Sequence, residues 1–424
     1  MIFEYQLMNL FSYFCFYLGG FLIWPSRKNI PALIQIPFFI SAIFIPIFVV
    51  NYNERFTDIE ITKLTLINFF GACFLIFGII TGKLIKVHNY IFLTKFYNTA
   101  ISFFASKKNV ILRLIIFLFF SCFGLTICFF YMGFIPILEG DPMMAKYFKG
   151  DYKVIYDDVS FFFRLFQTFL FLAIPVSLFM IFQKINKTNK FILIFLTLWS
   201  ILLFAVNLYR GPVFSGIMMV LALFAAKSSY RALLFVLLLT LIYCFGSVIY
   251  YFLGLYNFPD NFNWLNEISK GQPDIQDHLI FISKFSDFPI YSGGITFIGA
   301  LVPGNFEYNP AVYSLNIINP NNNITDIPSG GLRMTVYLHA FMAFSWVGTL
   351  IFSFIYGLLL TRYTLILKGL NNDTLYNIGI NTLWFLFVAS FFLQFYHLKY
   401  QGLIMLFFII VLLGQEMRLN VRKK

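Results

Sequence analysis

Pro31-Ala-Leu-Ile-Gln-Ile-Pro-Phe-Phe-Ile-Ser-Ala-Ile-Phe-Ile-Pro-Ile-Phe-Val-Val50 runs on without one charged side chain. A helix rising 1.5 Å per residue needs roughly 20 such residues to cross the hydrocarbon core of a bilayer. Ten further apolar stretches flank it, at about 7–23, 62–80, 110–132, 161–182, 191–208, 212–226, 232–253, 336–361, 375–396 and 401–415. The composition agrees: 60% of the 424 residues are hydrophobic and 11% charged, against roughly 25% charged in soluble domains. The chain reads as an all-α polytopic membrane protein of about eleven transmembrane helices, forming one integral membrane domain over 1–424.

The loops between these stretches sort their charges by sign. One set carries Arg27 and Lys28; Lys83, Lys86, Lys95, Lys107 and Lys108; Lys184, Lys187 and Lys190; Lys227 and Arg231; Arg362 and Lys368; and Arg418, Arg422, Lys423 and Lys424. With Arg113 at a helix entrance, that set holds 19 of the 30 basic residues and, of the 18 acids, only Asp373 and Glu416. Short basic loops stay in the cytoplasm, which places the N-terminus outside and the C-terminus inside. The net charge of +12 is thus a signal of topology and of attraction to lipid headgroups, and gives no reason to expect nucleic acid as a partner. Cys15, Cys73, Cys122, Cys128 and Cys244 all fall within apolar stretches, so neither an outer disulfide nor a zinc site is expected. The first stretch lacks a basic leader and a small-residue cleavage site and reads as a retained helix.

Polar chemistry is concentrated in two long outer loops, 133–160 and 254–335. The second mixes Pro, Gly and Asn with aromatic residues (Asn261-Phe-Asn-Trp264, Tyr291-Ser-Gly-Gly294, Pro303-Gly-Asn-Phe-Glu307). Disordered chain is poor in aromatic residues, so this loop is expected to form a folded cap with short helices. Its aromatic rings could stack on sugars or anchor the loop to the membrane surface. Between two mid-chain stretches, Asn207-Leu-Tyr-Arg210-Gly211-Pro212 reads as a tight outer turn. Pro212 suits the start of a helix, whose free N–H groups beside Arg210 would make an anion site suited to phosphate; alternatively Arg210 snorkels to the interface. The large loop closes on Ser329-Gly330-Gly331-Leu332-Arg333-Met334-Thr335, followed by Tyr337 and His339. On one continuous helix Arg333 would share a face with Tyr337 and not with His339, so joint action of Arg333 and His339 requires a broken helix start. Arg164 opens the fifth stretch after Asp157 and Asp158, and Glu139 follows Gly133-Phe-Ile-Pro136. Motifs of P-loops, dinucleotide sites, zinc proteases and serine hydrolases do not occur.

Three patches resemble the O-antigen polymerase family (Wzy type, oligosaccharide repeat-unit polymerases). They are Gly133-Phe-Ile-Pro-Ile-Leu138, Arg210-Gly211 at a tight outer turn, and Phe344-Ser-Trp-Val-Gly348 after a large late outer loop. The last is similar to the family's FGxxG, with Ser345 where Gly is usual and His339 where many members carry Glu. The resemblance implies a GT-C-like membrane glycosyltransferase of the bacterial inner membrane. Such an enzyme works at the periplasmic face on undecaprenyl-pyrophosphate-linked oligosaccharides, needs no metal or other cofactor, and has a chain-length regulator and a flippase as candidate partners. The reading of the residues fits that chemistry: a pyrophosphate leaving group needs fixed positive charge, for which Arg210 with Arg333 or Arg164 are the candidates, with Gly211 and Tyr337 also placed to bind substrate. The base for the acceptor hydroxyl is sought in His339, Glu139 or Asp158, in falling order of preference. A polysaccharide flippase or transporter and an O-antigen ligase are the alternatives. Nearly charge-free helix interiors argue against a transporter.

Overall fold

The structure is a computed structural model. It describes residues 3–85, 107–209, 211–246, 248, 274–287, 289–302, 305–321, 331–369 and 375–406. Among them the regular structure is helical throughout. Seven helices are long and apolar enough to cross a membrane, and each coincides with one of the apolar stretches. They are α1 (Phe3–Ile23), α2 (Ile30–Val49), α3 (Asp58–Leu84), α4 (Lys107–Met132), α6 (Tyr152–Ile181), α7 (Lys187–Val206) and α13 (Val336–Gly369). The short α5 (Pro142–Tyr147) precedes α6. Shorter apolar helices occupy three more stretches: α8 (Gly211–Ala225), α9 (Ser229–Cys244) and α14 (Leu375–Trp384), which continues through a wide turn to Leu393. The expected eleventh stretch is helical over residues 400–406, and its remainder lies outside the described residues.

Local chemistry sets the element ends. Thr57 and Glu60 form a reciprocal capping box at the start of α3. The wide π-turn at Ile40–Phe44 in α2 directly precedes Pro46, which has no N–H to offer the carbonyl one turn back. Within the first long loop, residues 152–160 already belong to α6, because the polar Tyr152–Asp158 segment is helical outside the apolar window that marks the span.

Side chains cluster into two cores. One gathers Leu118 of α4, Phe163 and Ile174 of α6, Leu193 of α7 and Met219 of α8. The other joins Tyr13 of α1, Leu75 of α3 and Tyr337 of α13 to Phe285 from the large loop. Helix α2 contributes Leu33 to the first core and Ile43 to the second, and so ties them together. Where α3 crosses α13 the backbones nearly touch: a Cβ on Gly78 would lie 2.1 Å from the Phe354 carbonyl oxygen, and one on Gly357 2.1 Å from that of Leu75. Without a hydrophobic drive between helices in lipid, small residues that permit close packing supply the association.

The described parts of the large loop form α10 (Asp274–Asp287), α11 (Ile295–Ile298) and α12 (Pro310–Ile318). Helix α10 buries Ile275, Leu279, Phe281, Ile282 and Phe285 against the second core.

Helix α13 is broken at Phe344 (φ −139°, ψ 24°) and Ser345 (φ 57°, ψ −148°). Its first arm folds back on the second, so that the Thr349 hydroxyl donates to the Tyr337 carbonyl at 3.3 Å, twelve residues away. The break strands the carbonyls of Met342 and Ala343. The amides of Ser292 and Gly293 cap them at 3.0 and 3.1 Å, which fastens the large loop to the elbow.

Loops assigned by charge to one side also meet in space. Arg27 donates to the Ala226 carbonyl at 2.9 Å and Arg362 to that of Ile85 at 2.7 Å. On the other side Lys63 reaches Ser286 at 2.9 Å, and Arg164 reaches Tyr400 at 3.2 Å.

Candidate functional site: two joined cavities

The turn between α7 and α8 supplies one wall of the first cavity. Leu208 takes a left-handed conformation (φ 54°), so that its N–H bonds the Ala205 carbonyl and that of Tyr209 the Phe204 carbonyl, a Schellman ending. Asn207, Tyr209 and Gly211 thereby face a cavity of ≈ 510 Å³. Arg210 itself lies outside the described residues. The opposite walls come from α5 and α6, from Ala300, Val302, Asn305 and Asn309, from Arg333 in the segment before α13, and from Lys399 to Gln401.

Among the described residues, five cations line this cavity (Lys146, Lys149, Arg164, Arg333 and Lys399) and no carboxylate does. Arg164 is held in place. Its Nε donates to the Tyr156 hydroxyl at 2.7 Å, its Nη1 to that of Tyr400 at 3.2 Å, and its guanidinium lies over the Tyr156 ring. Lys149 is buried, at 6% exposure. Burial also pushes Lys399 down to about 8, because a charged ammonium loses its hydration there. At an effective dielectric near 20, one unit anion at 4 Å from one cation gains about 4 kcal/mol. Several cations around one cavity therefore select an anion, and a polyvalent one most strongly.

Arg333 joins this cavity to a second. The second, of ≈ 560 Å³, is lined by Tyr17, Gln35, Asp274, Arg333, His339, Gln394, Tyr396 and His397, among others. The Arg333 Nη1 lies 3.7 Å from Oδ2 of the buried Asp274, and the Arg333 amide donates to Asp277 at 3.4 Å. Burial raises Asp277 to about 6, opposed by its contacts with Arg333. His278, pushed down to about 3 by burial, is neutral; it pairs through Nδ1 with the Tyr13 hydroxyl at 2.5 Å and reaches the Arg333 backbone. Helix α10 thus holds the Arg333 segment through one turn of side chains, Asp274, Asp277 and His278.

Arg333 precedes α13, which begins at Val336. Because the helix begins only after Arg333, Arg333 and His339 both line one cavity. A single unbroken helix through Arg333 would set them on different faces. The His339 ring sits 5.5 Å from that of Tyr396 and 5.6 Å from that of His397, and its Nδ1 has no hydrogen-bond partner among the described residues. Tyr337 is fully buried, donates to the Ser12 carbonyl at 3.3 Å, and lines neither cavity. Glu139 accepts from Tyr152 at 3.1 Å and Asp158 is exposed; neither lines either cavity. Gly211 and Arg164 line the first and Arg333 both.

Sequence reasoning did not single out Asp274, His278, His397 or Lys399. The i, i+3, i+4 spacing of Asp274, Asp277 and His278 was a usable sign of one polar helix face. A lone lysine between the last two apolar stretches, flanked by His397 and Tyr400, was another.

Compared with family models, with curated proteins and with solved structures, the chain gives no match in any of the three.

Proposed function

We propose that the protein is a membrane glycosyltransferase that polymerises undecaprenyl-pyrophosphate-linked oligosaccharide repeat units at the periplasmic face of the bacterial inner membrane. The observation that carries this reading is the cavity lined, among the described residues, by five cations and no carboxylate, which shares Arg333 with a polar cavity rich in hydroxyls, amides and imidazoles. A pyrophosphate leaving group accumulates negative charge as its bond to the sugar breaks, and fixed cations placed there lower the barrier. Arg164, Arg333 and Lys399, with Arg210 at the neighbouring turn, hold the donor's pyrophosphate; the second cavity takes the acceptor sugar beside His339.

The elbow of α13 supports the resemblance to the polymerase family. Ser345 occupies φ 57°, ψ −148°, a conformation that is almost restricted to glycine, at the position where the family usually carries Gly. A Cβ on Gly348 would meet the Ala340 carbonyl oxygen at 2.3 Å, so the second glycine of the motif has a packing reason too. An O-antigen ligase would use the same donor cavity with another acceptor. Protein in lipid nanodiscs, given lipid-linked repeat units alone, is expected to release undecaprenyl pyrophosphate and form a polymer ladder. Arg164→Ala and Arg333→Ala should each lower that rate by about a hundredfold. Transfer only to an added lipid A core would identify a ligase, and no transfer would refute the glycosyltransferase reading.

A further inference from the structure

The second cavity contains a buried carboxylate, Asp274, one of whose oxygens is left without a hydrogen bond among the described residues. Asp274 is 2% exposed, and among the described residues its Oδ2 has no hydrogen-bond partner; the Arg333 guanidinium lies 3.7 Å from it. Withdrawing a carboxylate from water against one distant cation costs several kcal/mol. A buried, poorly paired carboxylate lining a cavity marks a candidate functional group. His339 lines the same cavity, and its Nδ1 has no hydrogen-bond partner among the described residues; in the tautomer with its hydrogen on Nε2, that nitrogen is an acceptor. The orphaned carboxylate oxygen calls for a ligand that donates, and the imidazole in that tautomer accepts a second hydrogen bond from it. The lining also offers the flat rings of Tyr17 and Tyr396 and the amides of Gln35 and Gln394. Arg333 disfavours a cation there and Asp274 an anion, which leaves a neutral polyhydroxylated ring. The volume of ≈ 560 Å³ lies within the range of about 300–1,000 Å³ typical of small-ligand sites.

We infer that Asp274 is the catalytic residue that takes the proton from the attacking acceptor hydroxyl, while His339 accepts a second hydroxyl of the same sugar and orients it. This rests on the glycosyltransferase reading above. In the step, the acceptor oxygen bonds to C1 of the donor sugar and its proton passes to Asp274 Oδ2. The bond from C1 to the pyrophosphate oxygen breaks, and its electron pair leaves on the pyrophosphate. Because Arg333 contacts Asp274 and also lines the cation-rich cavity, base and leaving-group anchor stand side by side. Glu139 and Asp158 reach neither cavity and cannot share this role from their positions.

The test uses full-length protein in nanodiscs with lipid-linked repeat units. Asp274→Ala should cut polymerisation by about a hundredfold or more, keep wild-type binding of undecaprenyl pyrophosphate, and regain activity with added formate, which supplies a carboxylate to the space left by the side chain. Asp274→Asn, of nearly the same shape, should keep the wild-type melting temperature and stay inactive. Asp274→Ala that polymerises within threefold of wild type, or whose loss formate does not restore, overturns the inference while leaving the polymerase reading intact. Wild-type protein that forms no polymer and transfers to no acceptor removes both.

Discussion

At the residue scale, backbone strain and buried charge mark the positions that matter. Ser345 holds a glycine conformation at a cost of order 1–3 kcal/mol. Ser345→Gly is therefore expected to stabilise the protein by about 1 kcal/mol, seen as a higher melting temperature in detergent; a lower one would mean that the Tyr291 hydroxyl, which donates to Ser345 Oγ at 3.3 Å, outweighs the strain. Lys399 makes a pH prediction. Burial holds it down to about 8, with His397, His339, Arg164 and Tyr400 around it. Below that pH it is charged and attracts the anion; as pH rises through about 8 it loses its proton, and pyrophosphate affinity should fall. An anion in the cavity favours the charged form, so binding near pH 8 to 9 should take up a proton, measurable as a calorimetric enthalpy that depends on the buffer. Lys399→Met should abolish both effects. At this scale the sequence was legible where a residue type is costly in its setting: Arg164, Arg333 and His339 stood out as polar groups at helix mouths. Asp274 did not, because nothing in a run of outer-loop acids distinguishes one that the fold will bury.

At the element scale, hydrophobic length located the helices because lipid leaves backbone groups no other partners. It missed two things that length does not encode. Helix α6 begins at Tyr152, well before its apolar window, since a helix projecting beyond the bilayer needs no apolar face all round. The break in α13 at Phe344-Ser345 was also invisible, because neither residue is Pro or Gly; tertiary bonds from Ser292 and Gly293 hold it open. By contrast, Gly78-Ile-Ile-Thr-Gly82 already has the small-residue spacing of a close helix crossing. There Gly78→Val would drive its side chain into the backbone of α13 at Phe354 and should destabilise the protein by about 2 kcal/mol or more. Thermal unfolding of the purified variant reads this directly; an unchanged transition would mean that α3 and α13 do not pack as described.

At the scale of the whole molecule, two helical cores tied by α2 meet at a seam, and the two cavities draw their walls from both cores. The seam was only half legible. Charge sorting grouped the loops that the structure brings together, such as those of Arg27 and Ala226, and it placed the long loops on one side. Which of their residues converge depends on how α10 and the elbow of α13 fold over the helix ends, a long-range result that no local pattern carries. The central claim is that the cation-rich cavity anchors the pyrophosphate of a growing glycan. The measurement that tests it most directly is the size profile of the surface glycan in cells lacking this gene, complemented with wild type, Arg164→Ala or Arg333→Ala. A ladder reduced to a single repeat unit by the deletion, restored by wild type and by neither variant despite normal protein levels in the membrane, is the predicted result. A full ladder in the deletion strain, or one restored by both variants, would contradict it.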